Sequence, residues 1–105
     1  MKILFDHGTL APLRRHLQEH SVDRCADRGW ELLENGSLIR KAEEEGYDVM
    51  VTTDQNMRYQ QDLTGSNLGF VVLMSTALPR VRHQTTEIRA AIEEVRPGQV
   101  REVPI

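Results

Sequence analysis

The chain has 105 residues, a net charge of −3 and only 5% aromatic side chains. This length suits one domain, so we expect residues 1–105 to form a single domain with an aliphatic core. The slightly acidic balance disfavours a protein that grips nucleic acid over its whole surface, since such binding needs clustered Lys and Arg. The single cysteine, Cys25, excludes an internal disulfide and every multi-cysteine zinc framework.

The apolar runs of the sequence are short. None approaches the ~18 residues that a membrane span requires, and the first run ends at Asp6, too early for the apolar segment of a signal peptide. We therefore expect a cytoplasmic protein that does not enter a membrane. A lone Cys25, expected to be a small buried residue, agrees with a reducing compartment.

Apolar runs of strand length alternate with helical periodicity in the first part of the chain. Residues 2–5 predict a buried strand that stops at a polar turn. Leucines at helical spacing over 10–17 predict a helix with Thr9 as its cap. A weak second strand is predicted at 22–26, and a loop at 27–30.

The alternation continues more strongly after residue 34. Asn35 opens a predicted helix that Gly46 ends, and residues 47–53 predict a strand covered on both faces because it has few polar interruptions. Asp54 is predicted to cap a third helix that runs to about Leu63. The remaining predicted elements are a buried strand at 68–74, a loop closed by Pro79, a helix with an apolar stripe over 88–95 and a short tail strand at 99–103.

Five strands alternating with four helices predict one α/β domain. The expected architecture is a three-layer α/β/α sandwich around a central, mostly parallel sheet with right-handed crossovers. Such sheets place their sites outside the carboxyl ends of the strands. The polar residues expected at that edge are mostly acids and amides: Asp6, His7, Asn35, Asp54 and Asn56.

Carboxylate and amide oxygens at one sheet edge suit a hard divalent cation. Mg²⁺ and Mn²⁺ prefer oxygen ligands and usually retain waters for substrate phosphates. The chemistry that fits is phosphodiester hydrolysis, in which the metal activates a water. Asp54 and Asn35 also fit ordinary helix N-caps, a role that needs no metal.

Several stretches of the sequence resemble a small stand-alone PIN-like protein. The resemblance covers about residues 1–75 in register and is strongest in the strand ending VTTDQN at 51–56. The other stretches are MKILFD at 1–6, residues 29–39 from GW to NGSLI, residues 42–50, YQQ at 59–61 and FVVL at 70–73. The resemblance implies a parallel sheet flanked by helices and a metal-dependent ribonuclease, of the kind found as toxins in toxin-antitoxin modules.

The family's metal-binding acids map onto the chain by position. Asp6 and Asp54 match two of these acids, and the resemblance makes them the catalytic residues. The family's second acid falls at Asn35, with Glu34 adjacent, and the acid two residues beyond Asp54 falls at Asn56. These amides remove roughly two negative charges that would hold Mg²⁺ against its hydration. The resemblance therefore leaves two functions open, a ribonuclease and a catalytically silent PIN-like module that binds a protein or RNA.

Other side chains are candidates for substrate binding. His7, beside Asp6, fits a metal or phosphate contact and equally a loop histidine satisfied by its neighbours. Arg80 and Arg82 follow the fourth strand, where they can face the crevice and hold phosphate. Trp30 fits a base-stacking residue or a residue at the edge of the core, and the core edge is the simpler interpretation.

The string HLQEH at 16–20 matches the H-x-x-E-H motif of inverted zinc peptidases. Its two histidines lie four residues apart, on one face of the predicted helix. A solvated helix is the simpler interpretation, because the helix is short and the chain leaves little room for a peptide cleft.

The predicted partners follow from these features. They are an RNA substrate, a cognate antitoxin protein and a second copy of the chain. The tail at 99–105 can pair with that copy as an edge strand and form a homodimer.

Overall fold

The chain forms a five-stranded, all-parallel sheet with helices in a computed structural model that describes residues 1–7, 9, 11–57 and 61–105. The strands are β1 (Lys2–Phe5), β2 (Ser21–Arg24), β3 (Val49–Thr52), β4 (Gly69–Leu73) and β5 (Val100–Val103). Their order is β2-β1-β3-β4-β5, and each neighbouring pair is parallel. The predicted α/β class and parallel sheet are confirmed.

Helices connect these strands. The α-helices with both ends in the described part of the chain are α1 (Asn35–Glu44), α2 (Leu78–Arg82) and α3 (Thr85–Glu94). Two 3₁₀-helices span Ala11–Leu17 and Cys25–Arg28. Within the described ranges, no helix combines the length and the apolar character that crossing a bilayer requires.

The central strands are covered on both faces. Every residue of β3 and β4 is buried, as their apolar runs predict, whereas the edge strands β2 and β5 are largely half-buried or exposed. Successive side chains alternate between the faces, so Phe5 and Val51 join one apolar cluster while Leu4 and Met50 join another. Each face of the sheet therefore carries its own core.

The long helices supply the outer side of these cores. α3 packs Ile88, Ala91 and Ile92 into the cluster that contains Phe5. α1 packs its buried side chains into the cluster that contains Leu4. The buried residues of α1 are Leu38, Ile39 and Ala42.

The first part of the chain differs from its prediction in three places. The segment after β1 is a 3₁₀-helix over Ala11–Leu17, and Leu10 lies outside the described residues. The Thr9 hydroxyl donates a hydrogen bond to the Val51 carbonyl (2.8 Å) and so ties this segment to β3 instead of capping a helix. β2 ends at residue 24, because Cys25 starts a second 3₁₀-helix where a strand and then a loop were predicted.

Two later predictions are also corrected. The helix predicted from Asp54 to Leu63 is helical at Met57, but residues 58–60 lie outside the described chain and Gln61 is already in a bend. Pro79 does not close a loop, since it lies in the first turn of α2. A proline is tolerated there because the first-turn N–H has no partner within the helix.

Trp30 lies at the edge of the core, which confirms the simpler of its two interpretations. Its ring makes an edge contact with Tyr47 (centroids 6.1 Å apart), and the Arg28 guanidinium lies 4.6 Å from the indole centroid. The Tyr47 hydroxyl donates to Asp23 (2.6 Å) and accepts from Arg28 (2.9 Å). Burial, followed by the bond to Asp23, raises the pKa of Tyr47 to about 12.

Candidate functional site

The candidate site lies where β1 and β3 end side by side. β1 is flanked by β2 and β3, and Asp6 follows it directly. The Asp6 N–H donates to the Val51 carbonyl (2.9 Å), which extends the pairing of the two strands beyond β1. Asp54 follows the end of β3, so both acids stand at the carboxyl edge of the sheet, where parallel α/β folds place ligands.

The Asp6 carboxylate is buried and held by three hydrogen bonds. Its side chain is only 7% exposed. Oδ2 accepts from the Thr52 hydroxyl (2.7 Å), while Oδ1 accepts from the His7 backbone N–H (2.7 Å) and pairs with His7 Nδ1 (2.8 Å). A buried carboxylate needs such partners to remain charged. These bonds fix the orientation of the Asp6 carboxylate at the carboxyl edge of the sheet.

Thr52 links the two acids, a role that the sequence did not reveal. Its hydroxyl donates to Asp6 Oδ2 and accepts from the Asp54 N–H (3.0 Å). Thr52 is fully buried, so water does not replace either partner. The one signal in the sequence is a hydroxyl residue at the end of an otherwise apolar strand.

Asn35 meets Asp54 across the crevice. As the first residue of α1, Asn35 donates from Nδ2 to Asp54 Oδ2 (3.0 Å). This orientation leaves the Asn35 Oδ1 atom available as a ligand. Glu34, not Asn35, holds the N-cap position of α1, so the interpretation of Asn35 as a helix cap is wrong.

Asp54 also closes the turn that follows β3. Its Oδ1 accepts from the Asn56 N–H (3.0 Å), and its carbonyl accepts from the Met57 N–H. Because Met57 is the first helical residue after β3 and residues 58–60 lie outside the described chain, the cap interpretation of Asp54 stays a prediction. The Asn56 side chain is exposed and hydrogen-bonds to none of the described residues, so the structure brings together Asp6, Asn35 and Asp54 but not Asn56.

His7 closes one side of the Asp6 carboxylate. Its Nδ1 faces Asp6 Oδ1, and its Nε2 faces the Glu31 carbonyl oxygen. Both partners are acceptors, and each ring nitrogen of His7 contacts one of them. A ligand that binds Asp6 Oδ1 must therefore separate this oxygen from His7 Nδ1.

The predicted phosphate ligands Arg80 and Arg82 lie in α2, and both are exposed. Arg82 lines a small cleft with Pro12 and His16, and neither arginine side chain pairs with an acid among the described residues. Among the described residues, no hydrogen bond or ion pair joins either arginine to Asp54, so their role stays a prediction. Arg40 shares a groove with Asn35, and no motif in the sequence marks it.

This groove begins at the start of α1. It has a volume of about 500 Å³ and is lined by Asn35, Ser37, Arg40 and Gln61, with Glu34 on its rim. Arg40 lies five residues after Asn35, on the exposed side of α1. A prediction based on strand ends does not include such a helix residue. Of the YQQ stretch at 59–61, the first two residues lie outside the described chain.

The H-x-x-E-H string does not form a helical metal site. The 3₁₀-helix that contains His16 ends at Leu17, so His16 and His20 do not share a helical face. His20 instead lies between the amino group of Met1 (3.3 Å) and Glu93 (2.9 Å). It ties the start of the chain to α3.

Cys25 is buried, as predicted, and its thiol has low reactivity. Its thiol donates to the Phe5 carbonyl (3.2 Å). Burial, followed by the charge of Asp6, raises the pKa of Cys25 to about 12. Since the thiolate is the reactive form, Cys25 without a bound metal is not a nucleophile at neutral pH.

The donor set fits a hard divalent cation. Asp6 and Asp54 supply two negative charges, and Asn35 supplies a neutral oxygen at the same edge, which is the ligand chemistry of Mg²⁺ and Mn²⁺. Comparisons with family models, with curated proteins and with solved structures gave no match to this chain.

Proposed function

We propose that the chain is a PIN-like domain, a three-layer α/β/α sandwich, that hydrolyses RNA with Mg²⁺ or Mn²⁺ held by Asp6, Asp54 and Asn35. The observation that carries this proposal is the hydrogen-bonded series from Asp6 through Thr52 to Asp54 and Asn35. It holds two carboxylates and an amide at one sheet edge. The separate apolar clusters on the two faces of the sheet support the sandwich.

Each residue of the site has a distinct task in this proposal. A bound divalent ion would supply charge neutralisation at the phosphate and a more acidic water. Thr52 orients Asp6, and Asp54 keeps Asn35 turned so that its Oδ1 points to the ligand side. Arg40 holds a phosphate of the RNA in the groove that starts at Asn35, in place of Arg80 and Arg82.

The setting of this activity is also proposed. The resemblance to PIN-like toxins supports a cytoplasmic ribonuclease that a cognate antitoxin protein restrains. β5 is an edge strand that pairs with β4 on one side, and its other edge supports pairing with a second copy as a homodimer.

A second candidate function rests on the hydrogen-bond partners that Asp6 and Asp54 already have within the chain. Asp6 Oδ1 contacts His7 Nδ1, and Asp54 Oδ2 accepts a hydrogen bond from Asn35. This arrangement favours a catalytically silent module that keeps the crevice and binds a protein or RNA partner. The two functions differ in whether a divalent ion binds at Asp54.

A Mn²⁺ titration followed by paramagnetic broadening of backbone amides tests the two functions. The ribonuclease proposal predicts saturable broadening that is strongest at residues 6, 35 and 54, and its loss in Asp54→Asn. No local broadening up to ~20 mM Mn²⁺, well above the millimolar affinity of weak oxygen sites, would leave only the binding module.

A matched control separates the site from general charge effects. Asp48 is exposed and lies before β3, at the opposite end of that strand from Asp54. Asp48→Asn removes the same charge and should leave the broadening unchanged. RNA cleavage that EDTA stops, that Asp54→Asn abolishes and that Asp48→Asn retains would then support the ribonuclease directly.

A further inference from the structure

A second group of metal-ligating side chains lies on the other side of Asp6. The carboxylate of Asp6, a ring nitrogen of His7 and the Cys25 sulfur all lie within 4.8 Å of one another. Tetrahedral zinc, with bonds of about 2.0–2.3 Å, holds its ligand atoms roughly 3.3–3.8 Å apart. Small side-chain rotations are therefore enough to bring the three atoms around one ion.

The His7 and Asp6 side-chain atoms that would not bind the metal are already hydrogen-bonded, as they are in metal sites. A histidine that ligates a metal usually donates its other N–H to a carbonyl or a carboxylate, and a ligating carboxylate is itself hydrogen-bonded. Here His7 Nε2 contacts the Glu31 carbonyl, and Asp6 Oδ2 accepts from Thr52. His7 Nδ1 contacts Asp6 Oδ1 (2.8 Å), and Cys25 Sγ lies within 4.8 Å of a ligand atom of each of these residues.

The cluster is reached from outside through a cavity. This cavity has a volume of about 180 Å³ and is lined by all three side chains together with Thr9, Arg24 and Glu31. His7 is exposed at its mouth, whereas Asp6 and Cys25 are buried at its base. The space is sufficient for an ion and a water as fourth ligand, since one water takes about 30 Å³.

We propose that Asp6, His7 and Cys25 form a site for a thiolate-binding transition metal such as Zn²⁺, separate from the Mg²⁺ or Mn²⁺ crevice at Asp54. Thiolate and imidazole ligands select zinc and related ions, whereas carboxylate and amide oxygens select Mg²⁺ and Mn²⁺. Asp6 stands between the two sites. Its Oδ1 faces His7, and its Oδ2 faces Thr52 and the Asp54 side.

Metal binding at this cluster exchanges protons for the ion without any redox change. The thiol proton that Cys25 donates to Phe5 is released as the sulfur becomes a thiolate ligand. His7 binds the ion through an unprotonated Nδ1. One thiolate and one carboxylate then balance the two positive charges.

Cobalt titration of the reduced full chain tests the proposal, because Co²⁺ takes zinc positions and is coloured. We expect one equivalent of Co²⁺ to produce a near-ultraviolet thiolate-to-cobalt charge-transfer band, which Zn²⁺ removes by displacement. Since Cys25 is the only cysteine, the band reports on that residue. Absence of the band in the folded wild-type chain with excess Co²⁺ would overturn the proposal.

Two variants assign the ligands. Cys25→Ser should lose the charge-transfer band. His7→Ala keeps the thiol and should bind Co²⁺ at least about tenfold more weakly, in line with the loss seen when metal sites are disturbed. His7→Ala also covers the case in which Cys25→Ser fails to fold, and wild-type affinity in His7→Ala would refute the site.

Two controls keep the result specific. The other described cluster of possible ligands is Glu19, His20 and Glu93, which contains no sulfur. His20→Ala should keep the charge-transfer band, and loss of the band in a folded His20→Ala chain would count against the proposal. Asp54→Asn should also keep it, so that failure of the crevice metal and failure of this site are told apart.

Discussion

Removal of the Thr52 hydroxyl tests whether Thr52 holds the crevice together. Thr52→Val preserves the shape of the side chain but leaves Asp6 Oδ2 and the Asp54 N–H without this partner. Thr52 is fully buried and Asp6 is nearly so, so water does not readily take the place of the hydroxyl. We expect a loss of stability well above that of an ordinary surface change.

The size of this loss follows from the two bonds. Leaving one buried polar partner unsatisfied costs about 1–3 kcal/mol. Asp54 is half-buried and Asp6 keeps its bonds to His7, so we place the total at about 3 kcal/mol. For a domain of this size each kcal/mol lowers the Tm by about 4–8 °C, which gives a decrease of roughly 12–24 °C.

Urea unfolding followed by far-ultraviolet circular dichroism measures the change in free energy. Thr53→Val is the matched control, because Thr53 is half-buried and its hydroxyl makes no hydrogen bond within the described residues. Thr52→Ser should recover much of the loss, since it restores the hydroxyl. If Thr52→Val is no less stable than Thr53→Val, the bridging role of Thr52 is wrong.

Three further predictions concern other parts of the molecule. In Gly98→Ala, the new Cβ lies 2.6 Å from the Thr64 carbonyl oxygen, at a backbone φ of 80°. In Gly46→Ala, the backbone φ is a similar 77°, but the new Cβ meets open space. Urea unfolding should therefore show that Gly98→Ala is less stable than Gly46→Ala by more than about 1 kcal/mol. Folding raises the pKa of Cys25 from 9.0 to about 12, so the folded chain keeps a proton that the unfolded chain loses in this range. The free energy of unfolding should therefore fall as the pH rises from 9 to 12, and a pH series in urea should show a shallower fall for Cys25→Ala. His7→Ala removes the ring that contacts Asp6 Oδ1 and should make Mn²⁺ binding several-fold tighter. Calorimetry measures this affinity, and weaker binding would contradict the prediction.

The sequence predicted the sheet well because its central strands are defined by composition. The apolar runs of β3 and β4 fit only positions that are buried on both faces, and both strands are found there. The helix predicted over 10–17 is a 3₁₀-helix, a type that the sequence did not decide because leucines spaced by three and four residues suit both α and 3₁₀ geometry. Pro79 was predicted to close a loop but lies in the first turn of α2. A proline breaks a helix when it lies in the interior and is tolerated when it lies in the first turn, so the residue type alone does not decide between the two.

The site was predictable to the extent that strand ends determine it. Asp6 and Asp54 follow two strands that prove to be neighbours, so parallel topology alone places them together. Thr52 was missed because threonine is common in strands for its β-branched shape, which conceals its hydrogen bonds. The position of Arg40 beside the crevice depends on how α1 packs, and that is fixed by tertiary contacts.

The fluorescence of Trp30, the single tryptophan of the chain, can report ligand binding near His7. Trp30 is held by Arg28 and Tyr47, and the next residue, Glu31, supplies the carbonyl that contacts His7. A ligand that draws His7 away from this carbonyl disturbs the segment that carries the indole. Intrinsic fluorescence should therefore distinguish ligands that displace His7 from those that bind at Asp54 alone, without any label.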